Sequence, residues 1–316
     1  MMALLKLIRW SNLLIIFATQ WLVWVCVIRR FTGSGHVLDF PHFLLLSLST
    51  VFIAAAGYII NDYFDVRIDN INRPEKMVLE KAIPRKTAII LHSLLNATGL
   101  VLAAIVARQG GHYHWLLVQG ICTLLLWFYS TRFKRQFMAG NIIVSLLTAF
   151  TIVVLVIYEP ALHRYMDLDP YTETTGGVSH VNPFYLLAIY TFFAFILTWM
   201  REIVKDMEDL KGDEAEGCVT MPIVWGLKRA SVFTQWLAIP AIATLLFSAL
   251  HLVTTRNWIL GLYTSVALVL PLCAWTFNLR KAATTVHYAR ASRQLKIIMV
   301  LGLGSLIINY FSEWLN

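Results

Sequence analysis

The sequence predicts an all-α integral membrane protein of nine transmembrane helices, built as two four-helix repeats plus a ninth helix around a central cavity, in a single domain over 1–316. Three observations predict it. The chain is 58% hydrophobic and 14% charged, with a mean hydropathy of +0.66, which leaves too little polar surface to coat a soluble globule. Its apolar residues gather in nine windows long enough to cross a hydrocarbon core. Between those windows the basic residues alternate, rich then poor, in step with the count.

In chain order the windows are 12–29, 41–62, 87–107, 114–131, 138–158, 183–205, 230–252, 257–279 and 296–314. The first follows Lys6 and Arg9 as a signal peptide would, but it runs into Val27-Ile-Arg-Arg-Phe31 with no small-residue cleavage site. It therefore reads as a retained span, with Trp10 and Arg29 at its interfaces. The second and sixth windows each give way to a carboxylate-rich stretch, and four spans separate these stretches, hence the expected repeat. The segment 159–182, with Pro170, Gly176 and Gly177, is a long loop with no recognisable chemistry. Cys26, Cys122, Cys218 and Cys273 are scattered and have no C-x-x-C pairing, which argues against disulfides and thiolate metal sites.

Loop charge sets the orientation. Of 26 Lys and Arg, 21 fall at the N-terminus and in the loops after spans two, four, six and eight; the other side holds only Arg29, Arg30, Arg108, Arg164 and Arg256. The positive-inside rule then places the N-terminus in the cytoplasm and the C-terminus outside, in a cell (inner) membrane, with both carboxylate stretches on the cytoplasmic side. The same distribution excludes nucleic acid as a partner, because the formal +8 charge lies in short inter-span loops rather than on one basic face.

The first carboxylate stretch, 61–69, reads Asn-Asp-Tyr-Phe-Asp-Val-Arg-Ile-Asp. Asp62, Asp65 and Asp69 stand at i, i+3 and i+7, one face of a helix, and the spacing returns at Asp206, Asp209 and Asp213. Like charges packed so closely are held together most readily by a cation, and all-oxygen ligands call for a hard ion such as Mg²⁺. Asn61 abuts the first cluster and joins its ligand set; Asn141 does not abut one and reads as a helix-packing amide. Six aspartates can hold two or three Mg²⁺ with positions left for the oxygens of a bridging diphosphate. Arg67, Arg73, Lys134, Arg201 and Lys205 supply cations for that ligand. An apolar setting rich in Phe, Trp and Tyr suits a polyprenyl chain on the diphosphate, and aromatic faces such as Tyr63, Phe64, Trp127, Phe128 and Tyr129 suit the allylic cation left by its ionisation.

The segments Asn61-Asp-x-x-Asp-x-x-x-Asp69 with Asn72-Arg-Pro74, Asp206-x-x-Asp-x-x-x-Asp213, Tyr129-Ser130, Lys134 and Gly140-Asn141 resemble the UbiA superfamily of intramembrane prenyltransferases. The resemblance implies a nine-helix fold, a Mg²⁺-bound prenyl diphosphate such as geranylgeranyl diphosphate, and prenyl transfer to a hydrophobic, lipid-like acceptor. The stretches 61–74 and 201–213 are most similar to the digeranylgeranylglyceryl phosphate synthase branch, which implies a prenylglyceryl phosphate acceptor and ether-lipid synthesis. Catalysis is then expected to depend on Asp62, Asp65, Asp206 and Asp209. The chain departs from the family where Lys76 to Pro84 replaces Arg-Pro-Ile-Pro-Ser-Gly, and where Arg9-Trp-Ser-Asn12 replaces Arg-Pro-x-Asn. An aromatic quinone precursor is the alternative acceptor. A membrane transporter is the alternative class, but it would carry its acidic residues near the bilayer midplane rather than at span ends.

Overall fold

The computed structural model describes residues 2–32, 36–166, 171–173, 179–255 and 257–315. Pro170, Gly176, Gly177 and Arg256 lie outside the described residues. The chain is helical, as the windows predict: α1 Trp10–Thr32, α2 Phe40–Asn72, α3 Arg85–Gln109, α4 Leu116–Thr131, α5 Ala139–Ile157, α6 Pro183–Ala215, α7 Leu227–Thr254, α8 Trp258–Arg280 and α9 Thr285–Leu315. One small exception is an antiparallel hairpin pairing Tyr171–Glu173 with Ser179–Val181.

Among the described residues, eight of these helices are long and apolar enough to cross a membrane, and α4, at 16 residues, is not. The window at 114–131 is shortened because its first residues form a 3-10 turn, Tyr113–Trp115, whose Trp115 ring packs on Tyr158 at 5.0 Å and on His112 at 4.7 Å. Conversely, α2 and α6 outrun their windows. Each has 33 residues, roughly 50 Å of helix against a hydrocarbon core of about 30 Å, so the polar end of each extends beyond the apolar layer while staying helical.

Residues 1–131 with 147–192 form one compact unit, and 132–146 with 193–316 a second. By these ranges α5 and α6 are each divided between the two. In the first unit small residues bring α2, α3 and α4 together. A Cβ on Gly99 would lie 2.8 Å from Ile53 Cγ1 and 3.1 Å from the Ser49 carbonyl oxygen, and one on Gly57 2.8 Å from Leu126 Cδ2. A polar pin joins α1, α2 and α5: Gln20 Nε2 donates to the Thr151 carbonyl at 2.8 Å and Ser47 Oγ donates to Gln20 Oε1 at 2.8 Å. Asp39 caps α2 by accepting from the His42 amide at 2.9 Å, and the helix ends at Asn72, two residues before Pro74, with the intervening Arg73 out of helical conformation.

In the second unit Tyr263 donates to the Leu301 carbonyl at 2.8 Å and Trp275 Nε1 to the Ala291 carbonyl at 3.0 Å, tying α8 to α9 at two heights. Buried indole and phenol donors must find an acceptor in an apolar layer, so these bonds fix the register of the two helices.

Candidate active site

In the first unit the stretch 61–69 forms the last turns of α2, so Asp62, Asp65 and Asp69 share one helix face. Asn61 Nδ2 donates to Asp65 Oδ2 at 2.7 Å, and both residues are buried. The Asn61 carbonyl oxygen, Oδ1, is buried with no hydrogen-bond partner. A buried amide oxygen beside carboxylates suits a hard cation, and the donor set is all oxygen; the residues fit Mg²⁺.

Arg9, which opens the Arg9-Trp-Ser-Asn12 segment and is one of the loop charges, donates from Nη2 to Asp62 Oδ1 at 2.7 Å and lies 5.1 Å from the centre of the Tyr58 ring. Burial alone would lower the pKa of its guanidinium, but Asp62, Tyr58 and Asp65 raise it above its ordinary value. Beneath this face Leu7, Ile59, Leu79 and Ala88 form a buried cluster that seats the N-terminal helix Met2–Leu7 and the segment after the motif.

Arg67 is exposed, and at 100° per residue it stands roughly half a turn round the helix from the three aspartates. Arg73 caps α2, its amide donating to the Asp69 carbonyl at 2.8 Å. Tyr129 lies half-buried on α4 beside exposed Trp127 and Phe128, and Trp127 meets Phe64 edge-on at 6.0 Å.

In the second unit Asp206, Asp209 and Asp213 share a face of α6, and Glu202, one turn before Asp206, joins it. Asn141 is not a mere packing amide: its Nδ2 donates to Asp206 Oδ2 at 2.8 Å. Sequence could not show this, because the two residues lie 65 positions apart. Arg201 Nη1 donates to Glu202 Oε1 at 2.8 Å and Lys205 Nζ to Glu202 Oε2 at 3.0 Å, so one buried carboxylate holds both cations. The Nε of Arg201 is buried without a partner, a donor with the reach and charge for a phosphate oxygen.

Lys134 sits in a 3-10 turn, Phe133–Arg135, pressed against the start of α5. A Cβ on Gly140 would lie 2.8 Å from the Lys134 Cα. The Arg135 carbonyl accepts from the Val219 amide at 2.8 Å, joining that turn to the chain that follows the second motif.

Among the described residues, no three His, Cys, Asp or Glu side chains are drawn close enough to cage an ion. Asp62, Asp65 and Asp206 are each held by a guanidinium or an amide, which offsets the repulsion along each face. Glu202 and Arg9 stand outside the two aspartate triplets from which the site was read. The i−4 position of Glu202 relative to Asp206, and the likeness of Arg9-Trp-Ser-Asn12 to the family's early motif, were the available clues.

The sequence profile of the UbiA prenyltransferase family matches residues 21–300. A digeranylgeranylglyceryl phosphate synthase of Methanothermobacter thermautotrophicus is 33% identical over 275 residues, 83% of each chain. One from Thermococcus sibiricus is 27% identical over 290 residues, 92% of each. Among solved structures, one concerning digeranylgeranylglyceryl phosphate synthase in membranes superposes with a TM-score of 0.62 at 24% identity, covering 98% of this chain and 97% of that one. A UbiA homolog from Archaeoglobus fulgidus bound to GPP and Mg²⁺ gives 0.59 at 15% identity, covering 96% and 99%. At these identities the structural likenesses show the fold.

Proposed function

This chain belongs to the UbiA prenyltransferase family, and from that premise we propose that it transfers a prenyl group from a prenyl diphosphate to the free hydroxyl of a prenylglyceryl phosphate, an ether-lipid step. It is an integral membrane prenyltransferase. The observation that carries the donor chemistry is the pair of carboxylate faces, each with a buried amide bonded into it. The names of the relatives support the acceptor.

Asn61, Asp62, Asp65 and Asp69 on α2, and Asp206, Asp209 and Asp213 on α6, would hold Mg²⁺ for the donor headgroup. Bound Mg²⁺ supplies charge neutralisation that makes diphosphate a better leaving group. Arg201, through its orphaned Nε, and Lys205 and Lys134 bind diphosphate oxygens; Arg73 is a further candidate, and Arg67 would need its long side chain to reach round α2. Tyr129 on α4 would exclude water and offer an aromatic face to the allylic cation as the carbon–oxygen bond breaks. The acceptor hydroxyl attacks through oxygen and gives its proton to a carboxylate or to the departing diphosphate.

The whole chain, 1–316, acts as a single prenyltransferase domain in this reading, and α4 completes nine spans with the help of the turn before it. Its exposed Leu117, Ile121 and Leu124 suit a lipid-facing helix. The loop charges support a cytoplasmic N-terminus and an active site at the cytoplasmic face of a cell membrane.

The decisive measurement is transfer from labelled geranylgeranyl diphosphate by the purified protein to a geranylgeranylglyceryl phosphate, a hydroxybenzoate and a dihydroxynaphthoate in parallel. Product with the glycerol lipid alone is expected. Efficient prenylation of an aromatic acceptor with no glycerol-lipid product would overturn the acceptor and leave the donor chemistry standing.

A further inference from the structure

In the second unit, the short helix Met221–Trp225 and the first turns of α7 border a groove of ≈ 590 Å³ lined by Trp225, Lys228, Arg229, Val232, Phe233 and Trp236. Two of its lining residues, Trp225 and Phe233, belong to a linked aromatic row. Phe233 meets Trp225 edge-on at 5.7 Å and Trp199 at 6.0 Å, and Trp225 meets Phe137 at 5.1 Å. Lys228 and Arg229 stand exposed at its rim, and no carboxylate pairs with either among the described residues. From the groove an apolar strip runs on along α7, with Val232 45%, Trp236 66% and Ile239 55% exposed at i, i+4 and i+7.

We propose that this groove binds an anionic phospholipid of the surrounding bilayer, its phosphate between Lys228 and Arg229 and a hydrocarbon chain along Val232, Trp236 and Ile239. Charge complementarity selects the headgroup, since two adjacent uncompensated cations favour a phosphate whose charge nothing else in the lipid offsets. The strip selects an occupant with an apolar tail, because it lies on a helix long and apolar enough to span the membrane and continues directly from the cations. A free phosphate would leave the apolar strip without a partner. None of the residues in this groove belongs to the proposed donor machinery, so the inference stands apart from the acceptor reading.

Native mass spectrometry of the purified full-length protein, titrated with phosphatidylglycerol, phosphatidylcholine or inorganic phosphate, tests it. Phosphatidylglycerol should bind more tightly than phosphatidylcholine. Lys228→Gln with Arg229→Gln should weaken that binding by roughly tenfold or more. The charge-keeping pair Lys228→Arg with Arg229→Lys should retain it, and so should Lys6→Gln with Lys86→Gln, which removes exposed charges of the first unit. Trp236→Ala should weaken both lipids together. Equal binding of the two lipids, displacement of phosphatidylglycerol by inorganic phosphate, or full binding by the double Gln variant would overturn the proposal. So would a double Gln variant that keeps phosphatidylglycerol but shows a raised KM for the prenylglyceryl phosphate, since the groove would then serve the substrate.

Discussion

At the residue scale, the substitutions divide between the motif carboxylates assigned to the metal and Glu202, which is bonded to two cations instead. Asp62→Ala, Asp65→Ala, Asp206→Ala and Asp209→Ala are each expected to lower turnover by orders of magnitude, because a lost oxygen ligand both weakens the ion and misplaces the diphosphate. Initial rates of labelled prenyl transfer at saturating Mg²⁺ measure this, and near-normal rates in the Asp65→Ala variant would remove the assigned role of the first motif. Glu202 acts through its neighbours: it grips Arg201 and Lys205 at 2.8 and 3.0 Å and so sets where both cations point. Glu202→Gln should raise the donor KM several-fold with a smaller change in kcat, since the two cations would be bound less firmly but would still be present. An unchanged donor KM would mean that Glu202 only balances charge.

At the element scale, the proposed site residues sit at the ends of the long helices, so the devices that fix those ends bear on the proposed chemistry. Gly140 lets the Lys134 turn lie against the start of α5; a Cβ there would meet backbone at 2.8 Å, which cannot swing away as a side-chain tip could. Gly140→Ala is therefore expected to push the turn aside and raise the donor KM, with metal affinity, read by Mn²⁺ electron paramagnetic resonance, unchanged. At the opposite end of α2, the hydrogen bonds from the backbone and ring of His42 hold the Asp39 carboxyl below its usual pKa, outweighing the opposing effect of burial. Its cap therefore contributes stability above the unfolded-state pKa, and that contribution is lost as pH falls through the lowered folded value. Asp39→Ala should cost about 1 kcal/mol in thermal or denaturant unfolding near neutral pH, and Asp39→Asn much less.

At the scale of the whole molecule, the charge distribution predicts that reporters inserted between α2 and α3, and between α6 and α7, face the cytoplasm, while one inserted in 159–182 faces outside. Accessibility labelling of single cysteines at these places checks it. Labelling of the two motif loops from opposite sides would overturn the orientation read from the loop charges.

The chemistry was legible in the sequence because a helix fixes side-chain direction by spacing alone. Once 61–69 and 206–213 are helical, three aspartates at i, i+3 and i+7 must share a face, and the long apolar windows could be placed by counting residues against a bilayer. Composition and loop charge likewise needed no fold. Only tertiary structure decided which groups meet those faces: Arg9 reaches Asp62 across 53 positions and Asn141 reaches Asp206 across 65, distances over which no local pattern carries information. It also decided where helix gives way to turn. The first residues of the fourth window left the helix because the Trp115 ring found a partner in Tyr158, and α2 ran on past its apolar window because a cap, a buried cluster and a cation beside its carboxylates stabilised the polar end. Periodicity is a property of neighbours along the chain and can be read there. Pairing across it is set by how the helices pack, and that the sequence alone does not state.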